Sequence, residues 1–123
     1  MAKCFLTLSG VFGFLSVALG AFGAHALKDK LDAYQLGVFK TGVDYQFFHT
    51  LVIALVGLLL LRGESSLLKS SGYAFTFGIL VFSGSLYLLA FTGQRWWGAI
   101  TPIGGVSFLI GWVLFTLACY RMN

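Results

Sequence analysis

Four apolar runs, each about as long as a membrane is thick, constrain this chain more than any other feature. They cover residues 4–26, 41–61, 72–92 and 101–120. At about 1.5 Å per residue each makes a helix of roughly 28–35 Å, which matches a hydrocarbon core of about 30 Å. Backbone N–H and C=O groups in lipid must pair within their own segment, so runs of this kind are helices. A membrane barrel needs alternating strands of about ten residues, and Leu51–Leu61 does not alternate. Only 10% of the 123 residues are charged, 59% are hydrophobic, and mean hydropathy is +0.91. Such a chain cannot clothe a soluble domain in polar surface, which excludes disorder, a disulfide scaffold and a water-soluble fold. The expected fold is an all-α membrane protein, a single domain forming a four-transmembrane-helix bundle.

The polar residues fall in the breaks between spans. The net charge is +4, but the basic residues stand singly and form no stripe. Membrane lipids are therefore the expected partners, and nucleic acid is not. Cys4 and Cys119 have neither CxxC nor metal-ligand spacing and are expected to be buried or lipid-facing thiols. The first run ends in Ala24-His25-Ala26, like a signal cleavage site. Its length and the three spans that follow argue for a retained helix. Thr41-Gly42-Val43-Asp44 reads as a helix start, and Thr101-Pro102 as an N-cap followed by proline in the first turn. Between the first two spans, Leu27, Leu31, Tyr34 and Val38 fall at helical spacing. They predict a short amphipathic segment at the interface, with an ordinary solvated loop as the alternative.

Four spans place both termini on one side, here called side A, with Lys3, Arg62, Lys69 and Arg121. Side B holds Lys28, Lys30, Lys40 and Arg95. The positive-inside rule is thus tied, and the amino terminus tips it towards a cytoplasmic side A. Small residues recur at three- and four-residue spacing: Ser9, Gly13, Ser16, Gly20 and Ala24 in the first span, Gly104, Ser107, Gly111 and Ala118 in the fourth. Helices in lipid associate through such close approaches, so these stripes predict tight packing, within one chain or in a homo-oligomer or membrane complex.

The unusual polar side chains share one depth. His25 and Thr101 stand at the side B edge. At about 1.5 Å per residue, Tyr45 lies roughly 6 Å inside that edge, Tyr87 roughly 8 Å, Ser107 roughly 9 Å, His49 roughly 12 Å and Ser83 roughly 14 Å. Tyr45 and His49 are four apart, as are Ser83 and Tyr87, and Gln46 adjoins the His49 face. Asp44 sits four after Lys40 and is expected to be its surface ion-pair partner. An intramembrane imidazole is a functional candidate by default. It is equally an interhelical hydrogen-bonding group, with Tyr87 or a backbone carbonyl as partner. Haem or metal ligation and Ser/His/Asp hydrolysis rank well below both, because no further ligand or nucleophile elbow completes a set.

The segments Gly20–His25, Thr41–Leu51, Phe82–Tyr87 and Thr101–Leu109 resemble the ordered blocks of the family catalogued as domain of unknown function 423. The resemblance covers nearly the whole chain. It implies a four-span protein, in bacteria of the inner membrane, and it implies no activity. His25, Tyr45, His49, Ser83, Gly84, Tyr87, Pro102, Gly104 and Gly105 match its motifs.

Two functions follow as expectations. One is a non-enzymatic module that binds or transports a small or amphipathic molecule in a polar pocket open to side B. That pocket would be lined by His25, Tyr45, Gln46, His49, Ser83, Tyr87 and Ser107, with Arg95 at its rim and no metal or catalytic residue; its cofactor is unknown. The other is a structural or accessory subunit that packs against a larger membrane complex.

Overall fold

A computed structural model describes residues 1–123. Helix α1 covers Ala2–His25, α2 Ala33–Leu60, α3 Ser66–Gly78, α4 Gly84–Thr92 and α5 Thr101–Tyr120. A π-helical turn, Ile79–Ser83, joins α3 to α4, and a 3₁₀ turn, Arg95–Ala99, precedes α5. The chain thus has four helices long and apolar enough to cross a membrane, with α3, the π turn and α4 forming the third.

The second span begins earlier than hydropathy indicates. Asp32 caps α2: its carboxylate accepts the Gln35 N–H at 2.7 Å, while Gln35 Oε1 accepts the Asp32 N–H at 3.1 Å. This reciprocal capping box starts the helix about two turns before Thr41. Thr41 is no helix start; its hydroxyl donates back to the Gly37 carbonyl at 3.0 Å. The segment expected to lie separately at the interface is helical, but it is the beginning of α2. The 28 residues of α2 make a helix of about 42 Å. That exceeds the hydrocarbon thickness by about 12 Å, and the polar residues Asp32, Gln35 and Lys40 place the excess at the side B end, where the headgroup layer is expected.

Other ends have local causes. Ser65 caps α3, its hydroxyl accepting the Leu68 N–H at 3.2 Å. Gly93, at φ 72°, ends α4 in the left-handed conformation that glycine adopts without strain. Pro102 lies in the first turn of α5, as expected. Thr101 is not the cap, because it is already helical and its hydroxyl pairs with Ser85 on α4.

Packing follows the small residues. α1 lies chiefly along α2, and α5 along the third span, so α2 and the third span are innermost. A Cβ on Gly57 of α2 would come within 2.8 Å of Leu6, and one on Gly78 within 2.4 Å of Phe108. The tightest approach is at Gly104, where a Cβ would stand 2.3 Å from the Phe82 backbone nitrogen, inside the π turn. Between these contacts Phe5, Ile53, Val56, Leu68, Phe75 and Phe108 form the apolar core. Trp96 and Trp97 stack at 4.0 Å on side B, where an aromatic belt is expected.

Candidate functional site

Two hydrogen-bonded arrays of buried polar side chains occupy adjacent flanks of α2. In the first, α2 meets α1 and α4. Gln46, 3% exposed, donates through Nε2 to the Phe12 carbonyl at 3.0 Å and accepts the Tyr87 hydroxyl at 2.6 Å. One amide therefore ties three spans together. Just above it, Ser83 donates to the Gly42 carbonyl at 2.7 Å, and the Tyr87 ring lies over the bare Gly42 Cα, where a Cβ would meet it at 2.8 Å. The π turn aims Ser83 at α2. It inserts an extra residue into the helical turn, as such bulges do.

The second array is centred on His49, where α2 meets α3 and α5. Nδ1 lies 2.7 Å from the Tyr45 carbonyl and Nε2 lies 3.1 Å from the Trp112 indole nitrogen. A carbonyl only accepts and an indole N–H only donates. The ring is therefore the neutral tautomer with its hydrogen on Nδ1, and both nitrogens are satisfied. Phe108 stacks on it at 3.7 Å and 12°, and Phe75 and Trp112 close the sides at 5.7 and 5.8 Å. The imidazole thus sits in an aromatic box with no free lone pair.

The eight residues expected to line one pocket are therefore divided. Gln46, Ser83 and Tyr87 come together. His49 lies in the other array, with no hydrogen bond linking the two. Tyr45 shares the His49 face as its spacing predicted, but its ring is exposed and packs on Phe82 at 4.6 Å. Ser107 donates to the Ala74 carbonyl at 2.7 Å, locking α5 to α3. His25 is exposed at the end of α1, and Arg95 lies over the Tyr34 ring at 4.6 Å on the surface of side B. Two cavities of about 370 Å³ each are lined by none of the eight. The common pocket is corrected to two saturated seams: α2 is enclosed on more than one flank, so side chains at equal depth reach different neighbours.

Trp112 was missing from the expected set although it supplies the partner of His49. Its signal was available: an indole far from either interface carries an N–H that needs an acceptor. The Lys40–Asp44 ion pair forms as expected, at 3.0 Å. On side A, Lys69 pairs with Glu64 and holds that carboxyl below its usual range, chiefly through the hydrogen bond they share. No three His, Cys, Asp or Glu side chains converge as a metal ion would require.

Comparison with known proteins gives a consistent picture. The profile described as "Protein of unknown function (DUF423)" matches residues 19–105. The chain is 41% identical to the UPF0382 inner membrane protein YgdD of Escherichia coli K12, over 99% of this chain and 93% of that one. It is 44% identical to a UPF0382 membrane protein of Haemophilus influenzae, covering 98% and 97%, and 43% identical to one of Staphylococcus epidermidis, covering 97% of each. No solved structure matches. With four spans, ordered motifs and relatives matched along nearly their whole length, the chain is an inner-membrane protein belonging to the DUF423 family, whose biochemical activity is unknown.

Proposed function

We propose that this protein is an accessory packing subunit: a rigid four-span module that presents a lipid-level surface to another membrane polypeptide and catalyses no reaction. One observation carries the reading. Buried polar side chains tie helix to helix: Gln46 bonds Phe12 and Tyr87, His49 bonds Trp112 as well as the Tyr45 carbonyl of its own helix, Ser83 bonds Gly42 and Ser107 bonds Ala74, while Ser16, Thr50 and Ser71 bond carbonyls of their own helices. Cargo entering between these helices would have to break those bonds first, and in lipid no water replaces them. Groups that fix register and rigidity are what a packing module needs. The outer faces of α1 and α5 remain available, with Phe14 and Leu109 among the most exposed large side chains.

The native cysteines supply the test. Cys4 and Cys119 are free and exposed, near the side A ends of the two outer helices. Bismaleimide cross-linking in intact membranes should give a discrete adduct heavier than the monomer, lost in Cys4→Ser or Cys119→Ser. His49→Ala should lower the melting temperature and release no bound molecule. A chain that stays monomeric with every spacer, and whose His49→Ala variant loses a co-purifying small molecule, overturns the proposal.

A further inference from the structure

On side B, where α1 ends and α2 begins, the helices part around a cleft of about 370 Å³. Gly20 and Ala24 of α1 face Phe39 and Val43 of α2 across it, and Lys28, Lys40 and Asp44 stand at its rim. The small residues Gly20 and Ala24 of α1 leave this space: a Cβ on Gly20 would reach only ordinary contact with Val43, at 3.5 Å, whereas at Gly23, in the same lining, the Phe39 ring already closes on α1 and a Cβ would meet it at 2.5 Å. Its walls are apolar and its rim is charged. The rim charges do not cancel. Lys40 is paired with Asp44 at 3.0 Å, whereas Lys28 has no acidic partner.

Depth gives this asymmetry a meaning. The early turns of α2 stand in the headgroup layer, so Lys40 lies near the hydrocarbon edge and Lys28 beyond it, in the turn between the helices. Phe39 and Val43 flank that edge on α2, while Gly20 lies on its hydrocarbon side in the last turns of α1. The cleft therefore straddles the boundary, oily on one side and carrying one uncompensated positive charge on the other. Its volume is near the lower end of ligand pockets, roughly 300–1,000 Å³. It has room for a headgroup and the first carbons below it, with tails continuing into the bilayer.

We propose that this cleft binds one anionic phospholipid, with its phosphodiester between Lys28 and Lys40 and its glycerol backbone against the half-buried Leu36 and Val43. Charge selects among lipids. A phosphatidylglycerol headgroup matches the net charge of the rim, whereas a zwitterionic headgroup brings its own cation beside Lys28. This binding is independent of the packing role, because it is read on the monomer.

Native mass spectrometry of the full-length protein tests it. The protein is exposed to equal amounts of phosphatidylglycerol, phosphatidylethanolamine and phosphatidylcholine with identical chains. One phosphatidylglycerol should be retained preferentially. Lys28→Glu should weaken that adduct by about tenfold or more, because it removes an attraction and adds a repulsion near an anionic headgroup. Ala24→Phe should weaken it by filling the cleft at constant charge. Lys30→Glu, in the same turn but outside the lining, should leave it unchanged. Melting temperatures confirm that each variant folds, and Lys28→Glu alters an exposed side chain, so it remains decisive should Ala24→Phe disturb the helices. Equal retention of the three lipids, equal losses in Lys28→Glu and Lys30→Glu, or a preference for phosphatidylethanolamine abolished by Asp44→Asn would each overturn the proposal.

Discussion

Gly104→Ala should be among the most damaging one-carbon changes available in this chain. An ideal Cβ at Gly104 falls 2.3 Å from the backbone nitrogen of Phe82 and 2.7 Å from its Cα, where ordinary contacts begin near 3.4 Å. Both atoms belong to the backbone, so no rotamer change relieves the overlap, and α5 must move away from the π turn by about 1 Å. Two of the hydrogen bonds that hold α5 follow Gly104 along the helix: Ser107 to Ala74 of α3 at 2.7 Å and Trp112 to His49 of α2 at 3.1 Å. A shift of about 1 Å takes both past the useful limit of about 3.5 Å. Overpacking costs about 1–3 kcal/mol, and each interhelical hydrogen bond in a membrane contributes about 0.6 kcal/mol. The better helix propensity of alanine returns about 1 kcal/mol. The net expectation is a loss of about 1–3 kcal/mol, measured by reversible unfolding in mixed detergent and SDS. Gly105→Ala is the internal control: next in sequence on the same helix, its Cβ would meet the Phe82 ring at an ordinary 3.8 Å. It should be as stable as the parent or slightly more so. Equal behaviour of the two variants would refute the close-approach argument, since helix position and glycine chemistry are otherwise shared.

Gln46→Leu and Tyr87→Phe each orphan the other's partner, so their double-mutant cycle should show coupling of about 0.6–1.7 kcal/mol in the same unfolding assay, and purely additive losses would deny the 2.6 Å bond. Asp32→Ala removes the α2 cap at the membrane surface and should cost about 1 kcal/mol, with faster amide exchange confined to the first turn of α2. Glu64 is ionised more readily in the folded chain because Lys69 faces it. Its contribution is complete above the usual carboxylate range and is lost as pH falls through its lowered folded value. The difference in melting temperature between the parent and Glu64→Gln should therefore be constant between neutral and mildly acidic pH and should shrink below that.

Much of the architecture was legible because the bilayer reduces it to a hydropathy problem. The four spans, the small-residue seams and the Lys40–Asp44 pair follow from run length and three- and four-residue spacing alone. Helix ends were less legible, because two separate causes set them. Hydropathy marks where lipid begins, near Thr41, whereas capping marks where the helix begins, at Asp32. The Asp32-x-x-Gln35 box was present in the sequence, but the onset of the apolar run masked it. The π turn left no comparable mark. Glycines at 78 and 84 flank it, yet one contacts Phe108 and the other faces open space, so neither forces it.

The candidate site was misjudged for a geometric reason that applies to any inner helix of a bundle. Counting residues from the membrane edge gives depth, and depth placed Gln46 and His49 together. Azimuth decides partners instead. Three residues advance a helix by about 300°, leaving these side chains about 60° apart around α2. On an outer helix, with one neighbour, such an offset keeps both side chains at a single seam. α2 is bordered by α1, by the third span and, through His49, by α5, so the same offset directs Gln46 to α1 and α4 and His49 to α3 and α5. Each then finds a partner that desolvation in lipid makes necessary: an amide meets a phenol and a carbonyl, an imidazole meets an indole and a carbonyl. The polarity that suggested a chamber is consumed in holding the helices together, and among the charged residues lining the side B cleft only Lys28 is left without an ion-pair partner.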